Sequence, residues 1–263
     1  VSQRGSCAIL LALVAGNGLN ASILGTSHAE FRRTYALAPN GRVVIQNLYG
    51  DVSITGWDRD EVRVEAIKHS ADPRHLDDAR IIVDSSPGSV SIHTQYPGFD
   101  VEHPASVEYR ITVPRGANLE EVKLINGGLS ISGVTGPVKA SSVNGSIRAE
   151  NLEGQADLST VNGQLDAAFN RISRQNPISL SSVNGPIKLS IPCGSGASVT
   201  ARNLSGGIDS EFGRVVRSTG VHRLQTVVHG GGAPIHVHNV NGGISIHATF
   251  HTTWGRRPLH PVS

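Results

Sequence analysis

The amino-acid sequence predicts an all-β protein, a right-handed parallel β-solenoid or β-helix of nine-residue strand-and-turn units, two to a coil. Three observations predict it. From Ile125 to Phe169 apolar residues recur every nine positions, as Leu129, Val138, Ile147, Ala156 and Leu165 in one phase and Ile131, Ala140, Ala149, Leu158 and Ala167 two residues on. A glycine closes each unit, at Gly127, Gly136, Gly145, Gly154 and Gly163. An eighteen-residue period lies over the first, because asparagine precedes the glycine only in alternate units, at Asn126, Asn144 and Asn162. A fixed short period marks a stacked repeat. Apolar-x-apolar reads as a strand with one buried face, and glycine supplies the turn. The right hand follows from the rule for crossovers between parallel strands.

This frame sets expectations for individual residues. Val134, Val143, Leu152 and Val161 form a third apolar phase and are expected inside. Asn-Gly suits tight corners because both residues tolerate positive φ. Coils stacked ~4.8 Å apart would line the asparagines up as a ladder. Ser141, Ser159 and Ser181 should form one outer column, and Arg148, Asp166 and Lys188 another of alternating charge.

Taken in order, residues 1–29 have the form of an export signal: Arg4, the apolar run Cys7 to Ala15, and a small-residue cleavage site at Ser27-His28-Ala29. That run is too short to span a bilayer as a helix. No later stretch reads as a transmembrane helix. The repeat frame starts at Gly41 and runs through Val43, Ile45, Gly50, Val52, Ile54 and Trp57, with Trp57 expected to plug the first coil. Residues 61–68 alternate as a strand with Val62, Val64 and Ala66 inward. Asp72-Pro73 predicts a helix start, with a short helix to about Arg80 that caps the end. Strands follow at 80–84, 89–95 and 107–113. After Phe169 the frame is interrupted at 170–177 and 192–196 and recovers each time, so both interruptions are expected to be surface loops. It closes with Ile235, Val237, Val240, Gly242, Ile244 and Ile246. Residues 30–251 thus form one solenoid domain, followed by a flexible tail at 252–263.

The chain of 263 residues is long enough for several coils, and its 30 glycines and 13 prolines suit many corners. A formal charge of +2, with both signs interspersed, leaves no footprint for nucleic acid or an anionic membrane. With Cys7 in the leader, Cys193 would be the one remaining thiol, and no internal disulfide could form.

The segments 41–68 (GRVVIQNLYGDVSITGWDRDEVRVEAIK), 107–147 (VEYRITVPRGANLEEVKLINGGLSISGVTGPVKASSVNGSI) and 230–246 (GGGAPIHVHNVNGGISI) resemble the putative-adhesin family of exported bacterial β-solenoid proteins, a domain of unknown function. The shared features are strand, Asn-Gly corner and Gly-Trp-Asp. The resemblance implies a cell-envelope or surface role and supplies no catalytic residue.

Specific chemistries fare poorly. Calcium-binding nine-residue rolls need an aspartate in every turn, whereas the positions after Asn-Gly hold Gly128, Ser146, Gln164 and Pro186. His236 and His238 share the polar face of one strand and His247 follows on the next, so these three are the candidate zinc or copper ligands. The plainer reading is exposed strand histidines. No catalytic residue, cofactor-binding residue or cofactor is assigned. Asp157 and Asp166, nine apart, fall on opposite strands of a coil and do not make a glycosidase pair. The expectation is a non-enzymatic binding or scaffold protein, exported to the periplasm or cell surface, whose ligand is an envelope or extracellular protein or polysaccharide. A carbohydrate-active β-helix enzyme and a periplasmic envelope-stress or signalling accessory are the alternatives. An acidic cleft beside 170–177 or 192–196 would favour the enzyme.

Overall fold

Alternation of apolar and polar side chains is carried out in space as short strands, each burying every second residue. The computed structural model describes residues 27–97, 105–213, 215–218 and 221–249. The expected leader, apart from residues 27–29, and the expected tail lie outside them. The strands are β1 (Ser27–Ala36), β2 (Arg42–Tyr49), β3 (Val52–Trp57), β4 (Glu61–Ser70), β5 (Arg80–Ser86), β6 (Ser89–Gln95) and β7 (Ser106–Pro114). The regular middle comprises β8 (Asn118–Asn126), β9 (Leu129–Ser132), β10 (Val138–Asn144), β11 (Ile147–Leu152), β12 (Ala156–Asn162), β13 (Leu165–Phe169), β14 (Ile178–Asn184) and β15 (Ile187–Pro192). The last part adds β16 (Ala197–Ser205), β17 (Ile208–Ser210), β18 (Val215–Ser218), β19 (Val221–Val228), β20 (Ala233–Asn241) and β21 (Ile244–Thr249).

Successive strands of the middle alternate between two parallel-rich sheets. Sheet I has ten strands in the order β1-β4-β7-β3-β9-β11-β13-β15-β21-β17. Sheet II has eleven, in the order β18-β19-β16-β20-β14-β12-β10-β8-β2-β6-β5. Val138 pairs with Ala156, and Ile147 with both Leu129 and Leu165, in parallel register. The four-residue excess at 170–177 is absorbed as a loop, so that Ala156 pairs with Ile178. The buried side chains of both sheets make one core cluster, from Leu37 to Ile246. Each Ile or Leu sealed there contributes ~1.5–3 kcal/mol.

Val62, Val64 and Ala66 are buried as expected, and the strands expected at 80–84, 89–95 and 107–113 are present. Four expectations are corrected. Val134 and Leu152 are buried, but Val143 and Val161 are 37% and 39% exposed. β10 runs on in strict alternation past Ala140 to the buried Ser142, which turns Val143 outward. Trp57 does not plug the core: it is half-buried at the end of β3, its Nε1 donates to the Glu61 carbonyl at 2.8 Å, and Arg59 and Arg63 lie over its ring. The expected helix after Asp72 is a single 3₁₀ turn, Pro73–His75. Asp72 does cap it, accepting from the Arg74 N–H, but no residue of the turn is buried, so no apolar face extends it.

The largest correction is the order of the coils. The last coil, β20–β21, is inserted between β14–β15 and the earlier β16–β17. At the other end the first coil, β2–β3, sits between β6–β7 and β8–β9. The Cys193–Gly196 connection therefore steps over one coil position, ~10 Å instead of ~5 Å. Nor are the ends parallel: β1, β4 and β7 pair antiparallel, as do β5 with β6, β16 with β19, and β18 with β19.

Candidate functional site: ladders and outer faces

At the corners that join sheet II to sheet I, the expected asparagine ladder is present and longer than the eighteen-residue period indicated. Asn144 Nδ2 donates to Asn126 Oδ1, Asn162 to Asn144 and Asn184 to Asn162, each at 2.9 Å. Asn241 continues it, donating to Asn184 at 3.0 Å across a sequence gap of 57. Asn144, Asn162 and Asn184 thus each give one hydrogen and take another, while Asn126 only accepts and Asn241 only donates, and the row lies at the surface. The glycine that follows is required by packing alone at Gly145 and Gly163, and by a positive φ as well at Gly185 (145°) and Gly242 (131°). A Cβ on Gly145 or Gly163 would fall inside the carbonyl oxygen of Gly127 or Gly145, one coil away.

Two columns beside this ladder were not legible in the repeat. On the inner side lie Asn47, Ser142, Thr160, Ser182, Asn239 and Asn203, all buried. Their side chains satisfy corner carbonyls of the neighbouring coil: Thr160 Oγ1 donates to Gly145 O at 2.9 Å, Asn239 Nδ2 to Gly185 O at 3.0 Å and Asn47 Nδ2 to Val107 O at 2.9 Å. Ser142 Oγ and Asn203 Nδ2 donate in the same way, to Gly127 O and Gly242 O, whereas the buried Ser182 Oγ has no partner among the described residues. On the outer side Ile125, Val143, Val161, Val183 and Leu204 form an exposed apolar row. At the N-terminal end Tyr109 donates to Thr94 Oγ1 at 2.7 Å, and Thr94 donates to Asn47 Oδ1 at 3.0 Å. Burial pushes the Tyr109 hydroxyl up to about 12.

The two outer faces differ. On sheet I the row Arg32, Glu65, Arg110, Ser53, Ser130, Arg148, Asp166, Lys188, Ser245, Asp209 crosses ten strands. It contains the expected Arg148–Asp166–Lys188 column. On sheet II the expected serine column, Ser141, Ser159 and Ser181, continues into His238 and Arg202.

The histidines do not converge. His236 and His238 project from β20 in sheet II and are exposed, whereas His247 is on β21 in sheet I. His247 Nδ1 lies 3.3 Å from Glu211 Oε1. Glu211 also accepts from the Ala248 N–H at 2.7 Å, and these two contacts hold its carboxyl below the usual range. Among the described residues no three His, Cys, Asp or Glu side chains are grouped to hold a metal. Cys193 is free and exposed.

Clefts of about 290 Å³ lie on sheet I among Glu30, Arg32, Glu65, Glu108 and Arg110, and beside them around Asp51 and Ser130. A third, of about 340 Å³, adjoins the 170–177 loop and includes Glu153 as its one carboxylate. Arg171 pairs with Glu153 at 3.0 Å. That is not the acid–base pair a glycosidase uses. Among the described residues no helix is long and apolar enough to cross a membrane.

Fold and faces together define an all-β protein of ladder-lined, parallel-rich sheets. Its sequence matches the Toastrack DUF4097 family model over residues 29–247, and the chain belongs to that family. None of the curated proteins matches it. Among solved structures it is similar to a putative cell adhesion protein from Clostridium sporogenes, at 13% identity and TM-score 0.47, covering 84% of this chain and 100% of that one. It is also similar to a putative adhesin from Bacteroides fragilis, at 10% identity and TM-score 0.42, covering 84% and 97%. A putative lipid binding protein from Parabacteroides distasonis shares 11% identity at TM-score 0.33, covering 84% and 96%.

Proposed function

We propose that this chain is a non-enzymatic, adhesin-like binding or scaffold protein of the cell envelope, exported by the leader at 1–29. The single observation that carries the reading is the pair of long outer faces, whose polar side chains stand in register across ten strands of sheet I and along the ladder of sheet II. Such a face offers repeated, equally spaced contacts to an extended ligand, and the cleft beside the 170–177 loop has Glu153 as its one carboxylate. The same reading takes the chain as a right-handed solenoid wound from nine-residue units, two per coil, with terminal coils intercalated. Membership of the Toastrack family supports a repeat architecture of this kind.

The test is protease shaving of intact cells carrying an epitope inserted at 170–177, with a periplasmic marker as control. Loss of the epitope from intact cells is the expected result for a surface adhesin. Protection until the outer membrane is opened replaces that role with a periplasmic scaffold or signalling accessory. An epitope found only in the cytoplasmic fraction overturns the reading.

A further inference from the structure

The C-terminal part of sheet II carries a charge arrangement that folding alone does not favour. β14, β20, β16 and β19 lie side by side, and none of the four contains an aspartate or a glutamate. Register sets Ser181, His238, Arg202 and Arg223 in one row. Ser179, His236, Thr200 and Gln225 form the row two residues along. Arg202 stands directly opposite Arg223 in an antiparallel pair, and both are exposed. Like charges so placed destabilise a sheet. Among the described residues neither arginine has a carboxylate partner; in these rows the nearest acid is Asp157 on β12, two strands from His236. Sheet I, in contrast, alternates its signs through Arg148, Asp166 and Lys188. The Arg202–Arg223 pair belongs to β16 and β19, and the insertion of β20 beside β16 adds His238 opposite Arg202 and His236 opposite Thr200.

We propose that this patch binds an acidic polysaccharide. The guanidinium groups of Arg202 and Arg223 take the polymer's carboxylate or sulfate groups, and Thr200, Gln225, Ser179 and Ser181 hydrogen-bond its hydroxyls. The rows are open and flat and step by ~4.8 Å from strand to strand, which suits a chain of anionic groups better than one enclosed small anion. The four strands carry no Phe, Tyr or Trp on which a nucleic-acid base could stack.

The inference rests on the binding-protein reading above and names its ligand class. Its test is calorimetric titration of the purified chain with polygalacturonate and with heparin, using dextran as the uncharged control. Single-stranded DNA and phosphatidylglycerol vesicles are run in parallel. At least one of the two acidic glycans is expected to bind while dextran does not, and which one binds tells carboxylate from sulfate recognition. Arg202→Gln/Arg223→Gln is expected to weaken binding about tenfold or more. Arg148→Gln/Lys188→Gln on sheet I leaves it unchanged. The Arg202→Gln/Arg223→Gln variant should melt at or above the wild-type temperature, because a repulsive pair has been removed. Failure to bind either glycan, equal binding by that variant, equal binding of dextran, or binding of DNA or vesicles alone overturns the proposal. A chain that binds neither glycan yet is shaved from intact cells loses the patch and keeps its envelope location.

Discussion

Glycine, asparagine and one tyrosine show how single residues carry this fold. Stacked corners bring each Gly carbonyl against the next glycine, so Gly145→Ala forces a Cβ into the Gly127 oxygen. It is expected to cost on the order of 1–3 kcal/mol or more in urea unfolding. Gly243→Ala, where a Cβ meets nothing within 4 Å, should be near neutral. Tyr109 supplies a pH signature. Its hydroxyl ionises at about 12 when folded, against 10.0 ordinarily, so the unfolded chain loses this proton first. Stability from Tyr109 is therefore complete below pH about 10 and lost as pH rises through about 12, on the order of 2–3 kcal/mol. Alkaline unfolding curves of wild type and Tyr109→Phe should converge across that window; parallel curves would show that Tyr109 is not buried as described.

Strands and corners act as columns, and the columns differ in worth. Along the asparagine ladder Asn144, Asn162, Asn184 and Asn241 are exposed, so water can replace a lost partner. Asn162→Ala should cost no more than about 1 kcal/mol. In the inner column the side chain itself is sealed: Asn239 is fully buried, so Asn239→Ala loses the bond to Gly185 O, leaves a cavity, and should cost about 1–3 kcal/mol. Thermal unfolding of the two variants decides it, and equal losses would contradict the distinction between the columns. The ladder was legible beforehand because Asn-Gly recurs at eighteen residues. The inner column was not, because serine, threonine and asparagine at one position read as polar surface until alternation in β10 and β12 is followed past Ala140 and Leu158. Val143 and Val161 misled for the same reason, apolar by type but outward by parity.

Across the whole molecule, intercalation of the end coils makes the chain's stability less modular than a simple stack. Removing the last coil of a sequential repeat would trim one end. Here β20 and β21 each pair on both sides, with β14 and β15 on one and β16 and β17 on the other. A chain ending at residue 231 is therefore expected to expose 197–228 to rapid limited proteolysis while 118–192 stays protected. Uniform protection would mean that β16 can pair with β14 once β20 is gone. The same insertion sets His236 and His238 beside the Arg202–Arg223 pair of β16 and β19, so the truncated chain loses the histidine half of the basic patch.

The repeat alone determined the strand class, the inward phases at Leu129 and Ile131, the Asn-Gly corners and the two insertions. These depend on spacing along the chain, which local alternation and stacking read directly. Tertiary structure decided the order of the coils, the antiparallel ends, the parity of Val143 and the separation of His247 from His236 and His238. Every coil offers nearly the same edge to its neighbour, so sequence periodicity does not say which coil meets which. That choice falls to the non-repeating segments, among them β1, β4, the β18–β19 pair and the glycine turn at 229–232, whose contacts are long-range and carry no period.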